Sequence, residues 1–197
     1  MSRWFLFICF ILLNCDNSKK EVEFGKMNEW EYRGIALAKT DALFNNDQIY
    51  EMSVIPHDET YTFVAINNIK INYTGGKYRI SLVVNGNTEN SNLGIRIQEV
   101  HPIRLDVVFD LSKGDVVGLY KEGDVVENKK VLIEPLVDGW FKCSIEAEIH
   151  ASYFRLLFGP TNVPSGQVNV WESENLNKDG REIFILPESL KIEEIKD

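Results

Sequence analysis

Cysteine is nearly absent from this 197-residue chain: there are three, Cys9, Cys15 and Cys143, too few and too widely spaced for a disulfide framework. A core large enough to fold without covalent staples is therefore required. Histidine is equally scarce. His57, His101 and His150 form no His-x-x-x-His pair and have no cysteine cluster beside them, so no metal site is expected. Basic residues are the minority, 21 against 30 acidic, and a formal charge of −9 repels phosphate backbones, so nucleic acid is excluded as a partner. Long apolar runs are missing too. The run from Trp4 to Leu13 has ten residues, about half of what a helix needs to cross a bilayer. No Gly-x-Ser-x-Gly elbow, phosphate loop or dinucleotide fingerprint occurs, and no cofactor is expected.

What stands at the start is informative. Arg3, the apolar run and then Leu12-Leu13-Asn14-Cys15 have the order of a bacterial export signal ending in a lipobox. Cys15 is then the lipidated first residue of the mature protein, attached to a membrane of the cell envelope; an ordinary secretory signal and an uncleaved apolar start are the alternatives. Loss of residues 1–14 removes Arg3 and takes the formal charge from −9 to −10. Residues 15–28 are polar and poorly periodic, which predicts a tether, with one domain over 29–197.

Within that domain apolar and polar residues alternate in short runs, the period-2 pattern of half-buried strands. Ten strands are expected, over 61–73, 77–85, 93–100, 103–110, 115–120, 130–133, 140–149, 153–158, 167–172 and 183–186. Turn chemistry at Thr74-Gly75-Gly76, Asn85-Gly86-Asn87, Ser112-Lys113-Gly114, Asp138-Gly139 and Asn177-Lys178-Asp179-Gly180 separates them. The fold class is all-β, an antiparallel β-sandwich or jelly roll, with 35–45 as a short helix or loop. The more apolar phase places Tyr78, Ile80, Leu82, Val84, Leu93, Ile95, Ile97, Ile103, Leu105, Val107, Phe109, Phe141, Cys143, Ile145, Phe154, Leu156, Phe158, Val168 and Val170 inside. Cys143 is thus a small buried hydrophobe. The opposite phase carries Arg79, Arg96, Arg104, Trp140, Tyr153, Arg155 and Trp171.

Three pieces occur in order: Val-Phe-Asp-Leu-Ser-Lys-Gly-Asp-Val-Val (107–116), Val-Asp-Gly-Trp-Phe-Lys-Cys-Ser-Ile (137–145) and Val-Asn-Val-Trp-Glu-Ser-Glu-Asn-Leu (168–176). This half of the chain resembles the carbohydrate-binding-module-like jelly-roll domains of bacterial surface and phage tail proteins. Phe141 and Lys142 depart from that pattern, where Tyr and Arg are usual, as do Glu172 and Glu174, where Gly and Gln are. The resemblance implies the sandwich more than any ligand.

The opposite-phase arginines and aromatics are the candidate ligand face, on which an aromatic ring stacks on a sugar and guanidinium groups pair with an anionic glycan. Cross-strand pairing with Asp106, Asp110 and Glu146 explains the same arginines without a ligand. Asp110, Asp115 and Asp179 are candidate calcium donors or simply turn formers. Glu172 and Glu174, two apart, resemble a glycosidase pair only loosely. Asn72-Tyr73-Thr74 matches a glycosylation sequon, a match that arises readily by chance. The expected function is a noncatalytic, lipid-anchored envelope protein that binds glycan or another surface ligand. A structural or adhesion lipoprotein contacting a protein partner, and a glycosidase or polysaccharide lyase, are the rivals.

Overall fold

The computed structural model describes residues 20–55, 60–72, 75–86, 91–123, 130–173 and 181–196; the export signal, Cys15, Glu174 and Asp179 lie outside them. In chain order the strands are β1 (Glu31–Arg33), β2 (Ile35–Phe44), β3 (Asp47–Val54), β4 (Phe63–Lys70), β5 (Gly76–Gly86), β6 (Asn92–Gln98), β7 (Arg104–Asp110), β8 (Asp115–Glu122), β9 (Lys130–Pro135), β10 (Trp140–Ile149), β11 (Tyr153–Thr161) and β12 (Glu182–Glu194). They form two antiparallel six-stranded sheets, ordered β1-β4-β11-β6-β7-β8 and β2-β3-β12-β5-β10-β9. The central strands β3-β12-β5-β10 of one sheet and β4-β11-β6-β7 of the other interleave along the chain in a manner compatible with a jelly roll.

The core lies between the sheets because the period-2 apolar set of each strand faces inward. Tyr78, Ile80, Leu82, Val84, Leu93, Ile95, Ile97, Leu105, Val107, Phe109, Cys143, Ile145, Phe154, Leu156 and Phe158 are all buried, and Phe141 packs half-buried at the margin. Ile103 is half-buried just before β7. Burial raises the Cys143 thiol far above its ordinary pKa, which leaves it a packing residue.

Four expectations change. Residues 35–45 are not a helix or loop: Ile35–Phe44 form β2, hairpinned to β3 through Asn45 and Asn46, both at positive φ (52° and 74°), the conformation of a two-residue hairpin turn. Residues 167–172 are not a strand: a 3-10 turn covers Ser165–Val170, where Val168 is buried and Val170 exposed. The last strand runs on to Glu194 through an irregularity after Leu186, where Ser189 Oγ accepts the amide of Val83. The segment 20–28 does not hang free. Val22 N donates to Ile192 O, and Val22, Phe24 and Met27 pack on the core. Three apolar residues in a polar stretch are enough to dock it, so the domain begins before residue 29.

Candidate functional site

Arg96, on β6, points away from the main core yet is only 4% exposed. Its Nε donates to Asp106 Oδ1 at 2.6 Å, its Nη1 and Nη2 to Glu172 Oε1 and Oε2 at 2.6 and 2.9 Å, and Nη2 also to Asn169 O at 3.1 Å. Trp171 Nε1 donates to the same Asp106 oxygen at 3.0 Å. What covers these groups is the chain itself. The segment after β11 crosses the outer face of its own sheet, and Val163, Val168 and Trp171 pack there on Phe63, Ala65, Val108 and Leu157 as a second, smaller core.

Glycines make up part of the floor beneath this strap. Gly94 and Gly159 are cross-strand partners, and the Trp171 ring sits so close over Gly94 that a Cβ there would overlap its Cδ2 and Cε3. Gly118 lies under Val168 with less crowding, a Cβ there coming within 3.0 Å of its Cγ2. A missing side chain is here a packing requirement.

The candidate ligand residues therefore do not share one open face. Arg96 and Trp171 are buried under the strap, and Arg79 is on β5, in the other sheet, where it pairs with Glu146 through Nη2 and through Nε at 3.0 Å. Hydrogen bonding by Arg79 holds the Glu146 carboxyl below the usual carboxylate range. Trp140 is buried, its ring 4.7 Å from that of Phe44. Since β2 and β10 are separated by three strands, that contact requires the β2–β3 hairpin to curl across the outside of the sheet. Arg104 Nε lies 3.2 Å from Glu122 Oε2 and 3.4 Å from Asp106 Oδ2. Arg155 bonds Glu31 at 2.9 Å and lies over the Phe63 ring. Ion pairing thus engages all four arginines, with Asp106 and Glu146 among the partners as the alternative expected, but Arg155 takes Glu31 and Asp110 takes Lys113 in place of an arginine.

Burial raises the Asp106 carboxyl to about 6, outweighing the pull of Arg96 and Arg104. The folded protein holds this proton more tightly than an unfolded chain whose aspartate titrates at 3.8. Asp106 therefore favours folding most below that pH, and the contribution is lost as pH rises toward 6. Urea unfolding of the parent and Asp106→Asn between pH 4 and 7 is the check: the parent is expected to lose stability over this window relative to the variant.

Other groups considered for chemistry are engaged in structure. Both Glu172 oxygens take guanidinium hydrogens, so Glu172 offers no free carboxylate for acid-base work. Asp110 caps the β7–β8 turn: Oδ1 accepts from Ser112 N, Ser112 Oγ and Lys113 N, and Oδ2 from Lys113 Nζ. Burial opposes its ionisation, but the hydrogen bonds from Lys113 and Ser112 prevail and keep the carboxyl below its ordinary range. Asp115 Oδ1 accepts the Val116 amide.

Tyr153 is the exception. The residue is 48% exposed at the start of β11 and borders a cleft of about 460 Å³ with Asn68, Lys70, Ile71 and Ser152. A second cleft, about 470 Å³, shares Lys70 and Ile71 and continues to Lys20, Asn72, Tyr78 and Glu194. A bulge shapes the first cleft. β4 and β11 pair at Ile69–Phe154 and again at Ile66–Leu156, so Asn67 and Asn68 together face Arg155. Asn68 takes a left-handed φ of 56°, and Asn67 Nδ2 binds Glu31 Oε2 at 3.0 Å. That bond and the one from Arg33 lower the Glu31 carboxyl. Sequence reasoning named Tyr153 but missed Asn68 and Lys70. The signal was present: Asn67-Asn68 interrupts the alternation of β4, and two polar residues in succession within a strand mark a bulge.

A scan against protein-family models finds no match for this chain, and a search of curated proteins finds none either.

Proposed function

We propose that the chain is a noncatalytic, lipid-anchored protein of the bacterial cell envelope that binds glycan at the Tyr153 cleft. The observation that carries this reading is the exposed Tyr153 ring beside a cleft lined by Asn68, Lys70 and Ser152, while Trp140 and Trp171 are used for packing. A pyranose lays its C–H face on such a ring and its hydroxyls on amide, ammonium and hydroxyl groups around it. The noncatalytic part is supported by the engagement of Glu172 with Arg96. The anchor is supported by the lipobox-like Leu12–Cys15. Five residues from Cys15 to Lys20 reach at most about 18 Å, so lipidation holds this end of the sandwich, with both clefts, near the membrane.

A second reading, an adhesion lipoprotein that contacts a protein, is favoured by Leu43 and Val137. They are 61% and 63% exposed beside the Phe44–Trp140 ring pair, at the end of β5 away from residue 20.

The test uses the mature chain and its Tyr153→Ala variant on a glycan array, with fatty-acid labelling of cells that express the precursor or its Cys15→Ala variant. Expected are glycan capture weakened about tenfold by Tyr153→Ala at an unchanged melting temperature, and acyl label that is absent from Cys15→Ala. A parent that retains no glycan sinks the binding reading, and label that persists in Cys15→Ala sinks the anchor.

A further inference from the structure

We infer that the Tyr153 cleft takes a carboxylate-bearing sugar, its ring on Tyr153 and its carboxylate on the Lys70 ammonium. This rests on the glycan reading above and names the class of sugar.

Tyr153 and Lys70 are direct cross-strand partners of β11 and β4, so their side chains leave the same face of the sheet side by side. That spacing places a cation at the edge of a sugar lying on the phenol ring. The charge of Lys70 is not taken up by a partner within the chain. Arg79, Arg96, Arg104 and Arg155 are each matched to a carboxylate of this chain, and Lys113 to Asp110, whereas the Lys70 ammonium, like those of Lys39, Lys121 and Lys142, makes no ion pair or hydrogen bond among the described residues. It also lies where the two clefts meet, open to both.

The polar groups around it are similarly uncommitted. At the bulge Asn67 turns to Glu31, and its neighbour Asn68, in the left-handed region, lines the cleft with an amide that has no internal partner among the described residues. A non-glycine residue in that region carries a conformational cost, tolerated best by Asn, and such strain gathers at binding sites. Ser152 contributes its carbonyl to Ile71 N and leaves its hydroxyl for the cleft. Ammonium, amide and hydroxyl thus surround one exposed phenol ring. A neutral sugar can hydrogen-bond to each of these groups, and only an acidic one adds a charge pair with the ammonium.

Oligogalacturonate and oligoglucuronate, each beside its carboxyl-reduced neutral form, are titrated by calorimetry into the mature chain and its Lys70→Gln, Lys70→Arg and Tyr153→Ala variants. The expected result is that an acidic oligomer binds the parent about fivefold or more tightly than its reduced form. Lys70→Gln removes that preference, Lys70→Arg keeps it, Tyr153→Ala weakens both forms, and added NaCl weakens only the acidic one. Equal binding of acidic and reduced oligomers, unchanged by Lys70→Gln, overturns this inference and leaves the glycan reading standing. Binding that neither Lys70→Gln nor Tyr153→Ala alters overturns the location. If the parent binds no oligomer here and no glycan on the array, both the inference and the glycan reading fall.

Discussion

Replacing Arg96 by methionine is expected to cost about 3–5 kcal/mol of folding stability, the penalty for leaving buried charges without their counter-ion. Asp106 and Glu172 would remain under the strap with their shared cation gone, and Trp171 Nε1 would be a main surviving donor to Asp106. Methionine fills much of the space of the arginine stem, which separates loss of charge from loss of volume. Urea denaturation of the two proteins at neutral pH reads the difference directly. A variant within 1 kcal/mol of the parent, on the order of an exposed pair, would mean that water reaches the cluster and that the strap does not seal it. The triple variant Arg96→Met, Asp106→Asn, Glu172→Gln should recover much of the loss, since the cost resides in the orphaned charges and not in the missing ion pairs.

Gly94→Ala is expected to be nearly as damaging, about 3 kcal/mol, although it adds a single methyl group. In most strands this change is neutral or favourable because alanine restricts the unfolded chain. At residue 94 the new Cβ would overlap Cδ2 and Cε3 of Trp171, and Trp171 is fixed from its other sides by Asp106 and by Thr161 Oγ1, which donates to Trp171 O at 2.9 Å. The indole must move, and the strap moves with it. Thermal melting measures the cost, and faster proteolytic cleavage within 161–173 would place it in the strap. In a Trp171→Ala background the same glycine substitution should cost little. Additive costs would show that the strain lies elsewhere.

How far the chain could be read in advance depended on which interactions are local. The alternation in Lys77–Asn85 or Trp140–Ile149 places every second side chain on one face whatever the partner strand, so the buried set and the fate of Cys143 follow from period 2 alone. Turn residues acted equally locally at Ser112-Lys113-Gly114, where Asp110 caps the turn. The hairpin of β2 and β3 was missed because Asn45-Asn46, a positive-φ turn, joins strands whose outer halves are half-exposed and weakly patterned. Residues 167–172 misled in the opposite sense. Val168 and Trp171 are apolar because they fill a second core, not because they alternate in a sheet.

The sequence by itself determined an all-β domain with a single main core and an outward phase rich in arginine, because strand periodicity is a property of the backbone and needs no distant partner. Whether that outward phase met water, ligand or protein was decided only by tertiary structure. The strap returns from sequence positions about 70 residues beyond β6 to bury Arg96 and Trp171, Arg79 falls in the opposite sheet, and the β2–β3 hairpin curls over Trp140. Contacts across such separations depend on which strands become neighbours and how the sheets bend, and local pattern carries no record of either. Tyr153 and Lys70 meet at the cleft for the same reason: 83 positions apart along the chain, they are adjacent only because β11 lies beside β4.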